Sequence, residues 1–206
     1  MEPGLGYSLF GLYDTSELFD DHWMFEQRGY VEFEPLLFEN GETENAEKCF
    51  ALRDLRGANF KAASLEGADF SRAQLANADF EHALLKMADF CGADLSAANF
   101  AYADLAFADL TRTHCVNTDL RHTELCKTIF SFADLSGANL EGGDLRYSVL
   151  TGTNLCRANL KDCDIRGARF QNALFDKSTI LHIEIEDPAQ CGFIAWCPVD
   201  PPVIIK

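Results

Sequence analysis

The sequence predicts an all-β protein, a square parallel β-solenoid, from two columns of residues that stay in phase over most of its length. Every fifth residue from Phe50 to Ile180 is Leu, Phe or Ile, with one exception at Cys115. The positions two residues earlier, from Ala58 to Ser178, are all Ala, Thr, Gly, Ser or Cys. Five matches neither the 3.6-residue period of a helix nor the two-residue alternation of a flat strand, so in either element the large column would rotate out of the core. A chain that turns by about a quarter of a revolution per five residues keeps it inside, and four such units close a coil of about 20 residues. The large residue then fills the axis and the small one sits at a crowded corner.

Charge and composition divide the chain the same way. Residues 1 to 49 carry twelve acidic groups against Arg28 and Lys48, whereas residues 50 to 180 carry 17 against 14, so most of the net charge of −16 lies outside the repeat. This balance opposes direct nucleic-acid binding, which depends on Lys and Arg at phosphates, and an acidic surface suits a basic protein partner. No apolar run approaches the ~20 residues of a membrane-spanning helix. Met1-Glu2-Pro3-Gly4 lacks the basic segment and apolar core of a secretory signal, so a cytoplasmic location is expected.

Three segments follow. Residues 1–49 form an acidic N-terminal cap, with a short helix expected over Thr15 to Gln27, capped by Asp14 or Thr15. After it Tyr30-Val31-Glu32-Phe33-Glu34 alternates weakly, Pro35 interrupts, and Glu39-Asn40-Gly41-Glu42 is a hinge into the repeat. Residues 50–180 form the solenoid. Residues 181–206 form a C-terminal cap and extended tail: Leu181 to Ile185 alternates like a last strand, and Phe193, Ile194 and Trp196 can cover the final core layer. Such caps are needed because a solenoid's end coils otherwise expose unpaired strand edges.

Within the repeat, a 20-residue coil sorts the central residues by face. Phe50, Phe70, Phe90, Leu110, Phe130, Leu150 and Phe170 stack on one side, with Phe60, Phe80 and Phe100 opposite, and the two faces between are almost entirely Leu. Thr113, Thr118, Thr123 and Thr128 occupy the small position through one complete coil, where Cys115 also replaces a central Leu. That coil either repacks or bends, and in both cases its buried hydroxyls need backbone acceptors.

Ala58-Asn59-Phe60, Gly67-Ala68-Asp69-Phe70, Gly92-Ala93-Asp94-Leu95, Phe132-Ala133-Asp134-Leu135 and Gly137-Ala138-Asn139-Leu140 resemble the A(D/N)LXX unit of pentapeptide repeat proteins. The resemblance covers roughly residues 50 to 180 and implies that family's right-handed quadrilateral parallel β-helix, here about six and a half coils and roughly 30 Å long at ~4.8 Å per coil. It also implies a structural role for Asp69, Asp79, Asp89, Asp94, Asp104, Asp109, Asp119 and Asp134, whose short carboxylates bond nearby backbone at the turns. Some family members protect DNA gyrase or topoisomerase IV from poisons, with an acidic rod resembling duplex DNA. The near-neutral repeat here, without an inserted loop or a helical dimerisation tail, weighs against that role.

Candidate chemistry is sparse. Cys115 and Cys163 point inward while Cys91, Cys126 and Cys156 point outward on three different faces, so they cannot converge as zinc ligands. Cys191 and Cys197 are close enough in sequence to pair, yet nothing places them in an oxidising compartment. His82, Tyr102 and His122 form one outward ladder with its outer members ~10 Å apart, too far for shared metal ligation. No catalytic triad, phosphate loop or cofactor motif is present, and the N-terminal 49 residues are too few for an independent active-site domain. The expectation is a non-enzymatic protein-binding scaffold without cofactor or metal.

The informative departures are outward apolar residues. Met87, Phe107 and Tyr147 share one outward column, interrupted by Lys127, and Ile129 and Val149 occupy the next column around the corner, where Asp is usual. Phe132 extends this strip. It is either covered by a terminal segment of the same chain or is the surface for a protein partner or a second copy in a homodimer, since large exposed apolar patches usually have a purpose.

Overall fold

The computed structural model describes residues 48–181 together with the strand residues 195–196 and 203–204. The protein forms a right-handed quadrilateral β-helix, as expected. Parallel bridges pair residue i with residue i+20 without interruption from Cys49↔Asp69 to Asn154↔Leu174. The expected N-terminal helix, the weakly alternating Tyr30 to Glu34 stretch and the hinge at Glu39 to Glu42 lie outside the described residues, as do Phe193 and Ile194.

The turn at each corner explains the period. In nearly every unit the N–H three residues after the central residue donates to the central carbonyl, as from Ala83 to Phe80 and from Ala98 to Leu95. The residue between them carries positive φ at every fifth position from Leu52 to Asn172. It takes 54–64° where a side chain is present and 68–75° where the residue is Gly. A four-residue turn with positive φ at its third residue reverses direction sharply enough to return the next unit to the core. Left-handed backbone costs a non-Gly residue on the order of 1–2 kcal/mol, so the coil must recover this elsewhere.

It recovers it in the ladder and the core. Phe80 N–H donates to Asn99 O, His82 N–H to Ala101 O and Asp79 N–H to Ala58 O, so each unit is bonded to the coils on both sides. Inside, Phe60, Phe80 and Phe100 stack with ring centroids 4.6–4.8 Å apart and planes within 11°. Phe50, Phe70 and Phe90 stack at 4.6–4.9 Å and meet the opposite column edge-on at 5.6–5.8 Å. Leu fills the remaining two sides, fully buried. Each such side chain contributes on the order of 1.5–3 kcal/mol by burial.

The Thr coil keeps this register. Thr118, Thr123 and Thr128 each donate their hydroxyl to the central carbonyl of the preceding coil, at Leu95, Phe100 and Leu105, over 2.8–2.9 Å. Thr113 bonds Leu110 O within its own turn and accepts from the Cys115 thiol at 3.3 Å. The larger corner residues therefore add coil-to-coil bonds rather than disturb the stack.

The five-residue register does shift at its end. Thr179, not Ser178, is buried, and Ile180, expected in the core, is 38% exposed. Lys177 lies outside the run of positive-φ corners. One extra residue enters between Phe175 and Ile180, so strand β1 (Asn159–Leu160) pairs with β3 (Ile180–Leu181) as Asn159↔Ile180 and Leu160↔Leu181. Asp176 secures the longer turn by accepting from the N–H groups of Arg157 and Ser178 at 3.0 and 2.9 Å and from the Thr179 hydroxyl. Beyond it, β2 (Leu174–Phe175) pairs in parallel with β4 (Ala195–Trp196), and β3 with β5 (Val203–Ile204).

Two substitutions probe this balance. Ala97→Gly relieves left-handed strain at an exposed corner and is expected to stabilise the solenoid by roughly 0.5 kcal/mol, the strain released less the added unfolded-chain entropy. Phe80→Ala opens both Phe stacks and should cost about 3–5 kcal/mol. Urea midpoints moving in these opposite directions are the expected result. Acidification should act at Asp176: partial burial opposes ionisation, but its hydrogen bonds win and hold the carboxyl below its ordinary value. A lowered folded pKa gives stability that is present at neutral pH and is lost as pH falls below about 4, and Asp176→Ala should flatten that acid dependence.

Candidate functional site

The recurring carboxylates are structural. Asp69, Asp79, Asp89, Asp94, Asp104, Asp109, Asp119 and Asp134 each accept, through Oδ1, the N–H two residues ahead, at 2.8–3.2 Å. Other carboxylates in the same register meet an Arg two residues ahead: Arg146 holds Asp144, and Arg166 holds Asp164, below the usual carboxylate range. Among the described residues no group of three or more His, Cys, Asp or Glu side chains is placed to hold a metal ion.

The cysteines also stay apart. Cys49, Cys91, Cys115, Cys126, Cys156 and Cys163 form no disulfide, and Cys191 and Cys197 lie outside the described residues. Burial pushes the Cys115 and Cys163 thiols up to about 12, leaving little thiolate at neutral pH. His82, Tyr102 and His122 do form a ladder, and a closer one than a solvated row: their rings stack at 5.1 Å with planes within 18°.

The apolar strip is on the surface. Phe132 and Tyr147 are 62% and 61% exposed, Met87 and Phe107 more than half exposed, and Ile129 38% exposed, whereas Val149 is half-buried. Ile129 and Val149 are bridge partners on successive coils, between Asp109 and Arg169. The Lys127 ammonium, which interrupts the corner column, lies 5.0 Å from the centroid of the Phe107 ring. Leu84, which sequence reasoning passed over, is also exposed and extends the strip on the far side of Met87; its signal was the Asp position that it fills.

Two of the rings are positioned by glycine. A Cβ on Gly152 would fall 2.7 Å from the Phe132 ring, and one on Gly167 2.6 Å from that of Tyr147. Each ring therefore lies along the rod over the glycine one coil further on, flat and held in place. His122 lies over Gly142 in the same way. The pairing is visible in the sequence only when residues 20 apart are compared.

The face also leaves donors unused. Where Asp occupies the column its carboxylate binds the N–H two residues on, but Ile129, Val149 and Arg169 cannot do so. The N–H groups of Ser131, Thr151 and Gln171 consequently have no acceptor among the described residues.

A closed stack of outward columns is a repeat scaffold, a class of protein that acts through what its sides display. Residues 54–86, 73–106, 103–142 and 144–176 match the family model for pentapeptide repeats in eight copies, over more than half of the chain. The chain belongs to the pentapeptide repeat family. Among solved structures, it is similar to a trypsin-treated variant of QnrB1, a plasmid-mediated fluoroquinolone resistance protein, with 21% identity over 62% of this chain and 67% of that one and a TM-score of 0.55. It also resembles HetL of the cyanobacterium Nostoc, involved in heterocyst differentiation regulation, at 30% identity over 65% and 76% of the two chains, with a TM-score of 0.42. A pentapeptide repeat protein of the Arabidopsis thaliana thylakoid lumen matches at 31% identity over 55% and 72%, with a TM-score of 0.24. No curated protein sequence matches.

The burial of Cys115 sets a direct test. Alkylation at pH 8 followed by mass spectrometry should leave Cys115 unmodified while Cys49 is labelled, and only denaturant should expose the former. Labelling of both at similar rates would contradict the described core.

Proposed function

We propose that the chain is a non-enzymatic cytoplasmic scaffold that binds a protein partner through the face formed by Met87, Phe107, Ile129, Phe132, Tyr147 and Val149. The observation that carries this reading is the replacement of Asp by Ile129 and Val149. Each replacement forgoes a turn hydrogen bond, worth about 0.5–1.5 kcal/mol, and its side chain stands outside the solenoid core. An apolar strip kept at the expense of the repeat's own turn chemistry points to a contact.

A second reading follows from the fold likeness to QnrB1: protection of DNA gyrase or topoisomerase IV. A shared fold does not by itself transfer a function, and the repeat's charge, 17 acidic against 14 basic residues, makes a weak mimic of DNA.

Photo-crosslinking in cells separates these. A photoreactive residue at Tyr147 or Phe132 should give a discrete crosslinked band, while one at Asn117, on another corner, should not. Equal labelling from Asn117 would remove this face from consideration. In supercoiling assays with a fluoroquinolone, the scaffold reading expects neither inhibition nor protection at micromolar protein; protection would establish the second reading instead.

A further inference from the structure

The charges around the apolar strip run opposite to those of the chain. Arg112, Lys127 and Arg169 border Ile129, Val149 and Phe132: Arg112 precedes Phe132 in its corner column, Lys127 stands at the other corner, and Arg169 is the bridge partner of Val149. All three are exposed, and none is in an ion pair among the described residues. Beyond Asp109 this face and its two corners carry no carboxylate. Past the corners stand Asp134, bonded to the Ser136 N–H and the Asn154 amide, Asp144 with Arg146, Asp164 with Arg166, and Glu124, exposed three residues before Lys127.

The backbone repeats the pattern. The N–H groups of Ser131 and Thr151, which have no acceptor among the described residues, are donors in the same strip, so its ionic and main-chain groups call for an acceptor. Its apolar centre is preset, because Phe132 and Tyr147 are laid flat by Gly152 and Gly167. On a chain of net charge −16, a donor-rich apolar face is a local reversal of sign, and such complementarity chooses partners and sets association rates.

We propose that this face docks an acidic, apolar segment of a partner protein, with aromatic or aliphatic side chains on Ile129, Phe132 and Tyr147 and carboxylates meeting Arg112, Lys127 and Arg169. The proposal rests on the scaffold reading and reverses the basic partner expected from net charge. Carboxylates or carbonyls of the segment accept from the Ser131 and Thr151 N–H groups, replacing the aspartates missing from the column.

A random peptide library displayed on phage and panned against the full chain tests it. Selected peptides are expected to combine Asp or Glu with aromatic or aliphatic residues, and to bind less tightly as salt rises. Their affinity should fall about tenfold or more, a typical loss for close interfacial charges, in a variant carrying Arg112→Glu, Lys127→Glu and Arg169→Glu, and similarly in Ile129→Asn. Both variants should keep the wild-type melting temperature; where Ile129→Asn does not, Phe132→Ala replaces it. Basic or uncharged peptides that still depend on Ile129 or Phe132 would overturn the acidic partner and leave the docking face standing. Binding that ignores Ile129 and Phe132, or a failure to select any peptide, would overturn both.

Discussion

The structure depends on one constraint: a left-handed residue at every fifth position. From Leu52 to Asn172 the chain adopts positive φ at each corner whether or not glycine is there. Most of these corners carry a side chain and pay for the conformation. The cost is sustained because the corner and the core are one device: the same turn that strains residue i+2 returns the next central Phe or Leu to the axis. The stacked rings, the buried Leu columns and the i to i+20 bridges all follow from that angle. The extra residue before Ile180 shows the converse. Lys177 is outside the run of left-handed corners, and the register moves by one.

The same constraint determines what the surface can do. Side chains 20 residues apart become neighbours, so a face is a column of choices made once per coil. Most columns repeat Asp or Asn and spend their polarity on their own turns. Function can then reside where a column changes, and the face carrying Ile129 and Val149 changes in three respects at once: apolar side chains, N–H groups without an acceptor and cations without an ion pair among the described residues.

Much of this was legible in sequence. The five-residue period is tied to a single conformation, so it specified the solenoid and the opposed Phe columns, and the family resemblance implied the structural Asp residues. The end of the repeat was not legible, because Ser178-Thr179 and Ile180-Leu181 each offer two residues of the right size. Either register satisfies the pattern, and the bonds that Asp176 makes decide between them. The apolar strip was readable as a set of positions, but its preorganisation was not: the contacts of Phe132 with Gly152 and Tyr147 with Gly167 join residues 20 apart. Leu84 was masked by lying beside Leu85, and the cationic border by a net charge that belongs mostly to other residues.

Because the surface exists only through the coil register, cysteine cross-linking between coils reads that register directly. Neighbouring coils stand ~4.8 Å apart, within the roughly 4.4–6.8 Å Cα separation that a disulfide spans. In a background without the native exposed cysteines, Tyr102→Cys paired with His122→Cys should oxidise rapidly, and Asn159→Cys should link to Ile180→Cys rather than Thr179→Cys. Equal linkage of Tyr102→Cys to Asn117→Cys, or preference of Asn159→Cys for Thr179→Cys, would contradict the coil register and with it every column assigned to the surface.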